Sequence, residues 1–202
     1  MVDESEAPGW AAIDRVMVEL HGPQEPVHWL LDPTMGVGGP RLEGLSAYRA
    51  GDHWHFVTIG LTEIWTKQTS DPLVSGLGYE FTMRVPRSTG SRWRRGQPDQ
   101  PPEWAARFMQ RLGDVTLEGT RFRPGQTLDP GGRITGDTPS RLMAAAFVED
   151  PTLPVIGTPN GVVSFVQVFG ITGYELGALR NGDLEVESMA GNDGLFVTDP
   201  RR

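Results

Sequence analysis

The chain has 202 residues, 38% of them apolar and 22% charged, which supplies one sizeable core and excludes a chain disordered throughout. Its 26 acidic residues against 18 basic give a net charge of −8, unfavourable to attraction by nucleic acid or anionic lipid and suited to a basic partner. The absence of cysteine removes thiol catalysis, disulfides and cysteine-held metals.

The first six residues, Met1-Val2-Asp3-Glu4-Ser5-Glu6, are acidic and lack the basic and apolar regions of a secretory signal, so a cytoplasmic location is expected. Pro8 fits a first helical position, and Ile13, Val16, Met17 and Leu20 follow at helical spacing. This predicts an amphipathic helix over 8–20, with Trp10 in its packing and its end near His21-Gly22-Pro23. Residues 27–31 read as a short strand and 33–40 as a Gly-rich turn. Residues 43–49 and 53–59 read as a hairpin about Gly51-Asp52, and Tyr79, Phe81, Met83 and Val85 alternate as in a long strand with one buried face.

Residues 88–102 have no apolar period and predict a mobile loop. A helix then opens at Pro101-Pro102 with Trp104, Phe108, Leu112 and Val115 on its apolar stripe, and 121–140 is a second irregular segment. Residues 141–148 and 161–171 read as central strands, the latter apolar on both faces. Thr172 and Glu175 form a capping box that starts a helix stopping at Asn181-Gly182, followed by a short helix at 184–189 and a last strand at 195–198. The uncharged run 151–174 is broken by Pro154, Pro159, Asn160 and glycines, and so is a buried strand with its turn and no membrane span. The expected architecture is one α/β domain over 1–202, core about 9–199, with a mixed, mostly antiparallel sheet packed by helices.

Five patterns bear on chemistry. His53 and His55 sit two apart on a strand and face the same way, but His21 and His28 lie at a helix end and on another strand, with no metal-ligand spacing. The reading is cross-strand packing with ring hydrogen bonds, and a metal-dependent hydrolase on His53 and His55 is the alternative. Ser46 lacks the second glycine of a nucleophile elbow, and Gly36-Val37-Gly38-Gly39 fits neither phosphate-binding pattern. Glu149-Asp150 are adjacent, therefore on opposite faces, and Pro151 suggests an exposed strand end. Arg84, Arg87, Arg92, Arg94 and Arg95 surround Trp93 in the one basic stretch, read as a solvated loop that a protein partner can use as an anchor. No catalytic residue, cofactor or metal site is assigned.

Several segments together carry a resemblance: His53-Trp54-His55-Phe56-Val57-Thr58, Gly60-Leu61-Thr62-Glu63-Ile64-Trp65, Ser75-Gly76-Leu77-Gly78-Tyr79-Glu80-Phe81-Thr82, Pro101-Pro102-Glu103-Trp104-Ala105, Thr158-Pro159-Asn160-Gly161 and Leu195-Phe196-Val197-Thr198-Asp199. Their identity and order resemble the suppressor-of-fused (SUFU) domain family, in its stand-alone bacterial form. The resemblance implies a non-catalytic protein-binding domain. Animal members clamp an extended peptide as an added strand, and bacterial ones act as immunity proteins against polymorphic toxins. The second lobe of the animal clamp has no counterpart in these 202 residues. Where animal members place an aromatic and an acidic contact residue, this chain reads Val115 and Gln126, so those contacts are not carried over. The expected function is toxin neutralisation by direct binding, with an adaptor for an endogenous peptide as the other alternative. Candidate partner-binding residues are Trp93, Arg94, Arg95, Arg123 and Gln126. The partner is a protein, here a cationic toxin, with no nucleic acid or membrane, and the oligomeric state is left open.

Overall fold

In the computed structural model, residues 7–30, 41–87 and 99–202 are described. Among the described residues eight strands form one sheet: β1 (Val27–Leu30), β2 (Gly44–Ala50), β3 (His53–Ile59), β4 (Val74–Pro86), β5 (Thr127–Leu128), β6 (Leu142–Glu149), β7 (Ile156–Thr158) and β8 (Gly161–Thr172). The order is β1-β2-β3-β4-β8-β6-β5, with β7 on the early part of β8. All pairings are antiparallel except β4 with β8, so the expected mixed, mostly antiparallel sheet is present.

Helices cover both faces. On one, α2 (Glu103–Leu117) sets Ala105, Phe108, Met109 and Leu112 against Leu45, Trp54, Phe56, Phe81, Met83 and Phe147. Its buried stripe includes Ala106, Gly113 and Thr116, whereas Val115 is exposed and Trp104 only half-buried. The expected stripe of large residues is corrected by close approach: Gly113 lies under Leu42, where small residues fit. On the other face, α1 (Pro8–His21) packs Trp10, Ile13 and Met17 on Tyr48, Val57, Ile59 and Phe165. Further along the same face, Leu176 of α3 (Gly173–Asn181) and Phe196 close a separate cluster over Ala144, Ala146, Phe169 and Ile171.

The capping box at α3 forms as expected: the Glu175 N–H donates to Thr172 Oγ1 (3.2 Å), and the Thr172 N–H donates to Glu175 Oε2 (2.7 Å). Gly182 ends that helix at φ +76°, a left-handed cap. Residues 195–198 form no strand, only a bridge between Val197 and Arg84, and the short helix expected at 184–189 is a 3-10 turn, Val186–Met189. The irregular segment 121–140 contains the two-residue β5. The turn at 33–40 and loop residues 88–98 lie outside the described residues. Among the described residues no helix is long and apolar enough to cross a membrane.

Candidate functional site

On the face carrying α1 and α3, the two apolar clusters are separated by a buried polar strip. Alternation puts Phe165, Gln167 and Phe169 of β8 on this face, and Gln167 falls between the clusters. Two cross-strand rows build the strip: Tyr48–His55–Arg84 across β2, β3 and β4, and Thr82–Gln167 across β4 and β8. The loop after β6 adds Asp150 and Thr152.

Arg84 and Asp150 form a bidentate pair at 2.8 and 2.9 Å, both buried. Arg84 also donates to Gln167 Oε1 (2.7 Å) and Thr152 Oγ1 (2.6 Å). Asp150 further accepts from Thr82 Oγ1 (2.6 Å), His55 Nε2 (3.1 Å) and the Thr152 N–H (2.9 Å). Burial alone would raise the Asp150 pKa, but the hydrogen bonds and charge of His55 and Arg84 outweigh it and hold the carboxyl well below the usual range. Two sequence readings are corrected. Asp150 is buried, not at an exposed strand end, because its carboxylate finishes the Arg84 pair; Arg84 belongs to β4 and not to a solvated loop.

Other motif residues also meet one another. Glu80, fully buried, accepts from Thr58 Oγ1 (2.6 Å), Thr62 Oγ1 (2.7 Å) and the N–H groups of Thr62 (2.8 Å) and Gly60 (3.2 Å). Burial pushes its pKa up to about 7 against those four bonds. Asn160 Nδ2 donates to the Glu63 carbonyl (2.7 Å), Gln167 Nε2 to the Phe196 carbonyl (2.5 Å), and the Gly170 N–H to Thr198 Oγ1 (3.0 Å). Trp54 lies beneath the guanidiniums of Arg49 and Arg87 (5.3 and 5.6 Å), which share Asp99. These motifs are the joints of the fold.

The residues weighed for catalysis do not assemble a centre. His53 and His55 share a face, but His53 Nδ1 meets Asp52 (3.1 Å) while His55 meets His21 (2.9 Å) and Asp150. Sequence spacing gave no sign that His21 reaches His55. His28 Nδ1 lies 2.8 Å from Ser46 Oγ, which has the composition of a nucleophile and its base, but Ser46 is fully buried within β2 and no substrate reaches it. Among the described residues no group of three or more His, Asp or Glu is placed to hold a metal.

Trp93, Arg94 and Arg95 lie outside the described residues. Arg123 and Gln126 are exposed at the ends of the Arg123-Pro124-Gly125-Gln126 turn, tied by the Arg123 N–H to Gln126 Oε1 (2.8 Å), with Gly125 at φ +86° as a type II turn requires. This turn leads into β5, an edge of the sheet. The Phe147 N–H donates to the Gln126 carbonyl (3.0 Å) and the Gly125 N–H to the Phe147 carbonyl (2.8 Å), so by alternation Thr127 turns its backbone groups away from β6. A groove flanks the edge on each face. One of about 190 Å³ is lined by Phe108, Val115, Phe122, Leu128 and Ile134; the other, about 300 Å³, by Gln126, Thr127, Leu179, Val186 and Glu187.

A family model described as Suppressor of fused protein (SUFU) matches residues 38–202. The chain belongs to the suppressor-of-fused family. It is 30% identical over 194 residues to the Suppressor of fused homologs of Homo sapiens and of Mus musculus, covering 87% of this chain and 37% of each of those proteins. The chain therefore spans little more than a third of the length of these curated relatives. Among solved structures, the Sufu-Fu complex superposes with a TM-score of 0.80 at 23% identity, covering 98% of this chain and 91% of that one. Drosophila Suppressor of Fused superposes at 0.81 and 23%, covering all of this chain and 53% of that one. These likenesses establish the SUFU fold.

Proposed function

We propose that this protein is a non-catalytic binding domain that neutralises a toxin by direct occlusion, as an immunity protein, and that the partner adds a strand to the β5 edge. The observation that carries the binding site is that edge: outward backbone groups at Thr127, with a groove on each face to take the alternating side chains of an added strand. Supporting it, the buried ionisable groups His55, Glu80, Arg84 and Asp150 are engaged in holding strands and loops together. A solved SUFU relative is in complex with Fu. The net charge of −8 suits a cationic toxin such as a nuclease.

Co-expression with the product of the adjacent gene tests the reading. Rescue of growth and co-purification are expected, and neither complex nor rescue removes the immunity role. Thr127→Pro deletes an outward N–H without touching a bond to β6, and should weaken the complex by about tenfold or more while the melting temperature holds. Unchanged affinity would move the site away from β5. Capture of a harmless endogenous peptide would make the domain an adaptor instead.

A further inference from the structure

We propose that the hydrogen-bonded chain His21–His55–Asp150 is a proton-operated latch, holding the last turn of α1 on the sheet and releasing it when the chain takes up a proton. Every proton in it has a forced position. Asp150, paired with Arg84, is a carboxylate and only accepts, so His55 Nε2 carries hydrogen and His55 Nδ1 presents a lone pair. His21 Nε2 must then be the donor across the 2.9 Å contact.

An added proton has no good place. On His55 Nδ1 it would face the His21 N–H and Arg84 Nη2, 3.5 Å away. On His21 Nδ1 it would create a cation among groups that already lean positive. From β2, Tyr48 stacks on His21 (6.2 Å) and Arg49 lines the adjoining cavity; β3 adds His53, β4 Arg84, and the loop after β6 Thr152. From β8, Gln167 holds Arg84, and on α1 itself Asp14 accepts from the Tyr48 hydroxyl (2.5 Å). Asp150, the carboxylate touching the chain, is already matched by Arg84. A helix C-terminus ordinarily favours a charged histidine, but burial foremost, then Arg84, lowers His21 to about 4 and His55 to about 3.

The latch is local because of where α1 is greasy. Its buried residues stop at Met17, while the last turn, 18–21, is exposed or half-buried. That turn is held by the His21 bond and by Gln24, which exchanges hydrogen bonds with the Arg49 backbone (3.0 and 2.8 Å). An open cavity of about 320 Å³ between Leu20, His21, Arg49, His53 and Arg84 brings water to the imidazole.

Hydrogen-exchange protection of amides 18–21, with α2 amides as the internal reference, tests this between pH 6.5 and 4.5. His21→Gln keeps a donor to His55 but cannot titrate. The open population of the wild-type last turn should grow about tenfold more per unit fall in pH than that of the variant, while α2 stays protected in both. Parallel profiles for the two proteins, or opening of α1 only together with α2, would overturn the latch. If His21→Gln does not fold, ring NMR of the wild type decides: titration of His21 below about pH 5 supports the proposal, and titration near its ordinary value of 6.5 overturns it.

Discussion

At the residue scale, polar does not mean exposed. The alternation Glu80, Thr82, Arg84 opposite Phe81, Met83 and Val85 was readable, but it suggests a solvent face, and all six are buried. Arg84 and Asp150 are separated by 66 residues, a pairing no local spacing announces. Asp150→Asn would strand Arg84 in the interior and should cost about 3–5 kcal/mol in urea denaturation. Arg84→Met with Asp150→Asn should cost less than the sum of the single changes, the signature of a coupled pair. Glu80 carries the opposite pH dependence from the histidines. With its folded pKa raised from 4.5 to about 7, its contribution is full below about pH 4.5 and is lost as pH rises through 7, up to about 3 kcal/mol. His21 and His55 have lowered values, so their contribution is present above pH 6.5 and lost as pH falls toward about 4 for His21 and about 3 for His55. Glu80→Gln keeps an acceptor for the Thr62 and Gly60 groups, and its stability relative to wild type should be greater at pH 8 than at pH 5 by urea midpoint.

At the element scale, boundaries written in capping chemistry were legible and contacts made by small residues were not. Pro8, the Thr172–Glu175 box and Gly182 mark helix ends through local backbone rules, and α1 and α3 lie where those residues place them. In α2 the large side chains Trp104 and Val115 mislead, since Ala105, Ala106 and Gly113 make the close approach. β5 escapes because two residues carry no period. A small residue is also critical in α1: a Cβ at Gly9 would lie 2.2 Å from the Glu63 carbonyl oxygen, and the Gly9 N–H donates to the Ile64 carbonyl (3.0 Å). Gly9→Ala therefore has to lift the helix start off loop 60–65, and a loss of about 1–3 kcal/mol with an unchanged denaturant slope is expected.

At the scale of the whole molecule, the motif order identified the family and the sheet class, but not which strand lies at an edge, since strand order depends on pairings distant in sequence. That β5 lies at an edge, and so can be proposed as the binding edge, follows only from the order β8-β6-β5. The long-range field, by contrast, is readable from composition. With a net charge of −8, association with a cationic partner should slow by about tenfold or more between 50 and 500 mM salt, while dissociation changes little, as stopped-flow kinetics would record.

The single parallel seam sets a condition on synthesis. β1 to β4 come from the first half of these 202 residues, β5 to β7 from the second, and the strand that joins them, β8, is the last of the described strands to be made. Until residues 161–172 leave the ribosome, the inner edges of β4 and β6 have no mate, and the nascent chain exposes two adhesive borders at once. Closure of the sheet therefore waits until β8 has been made.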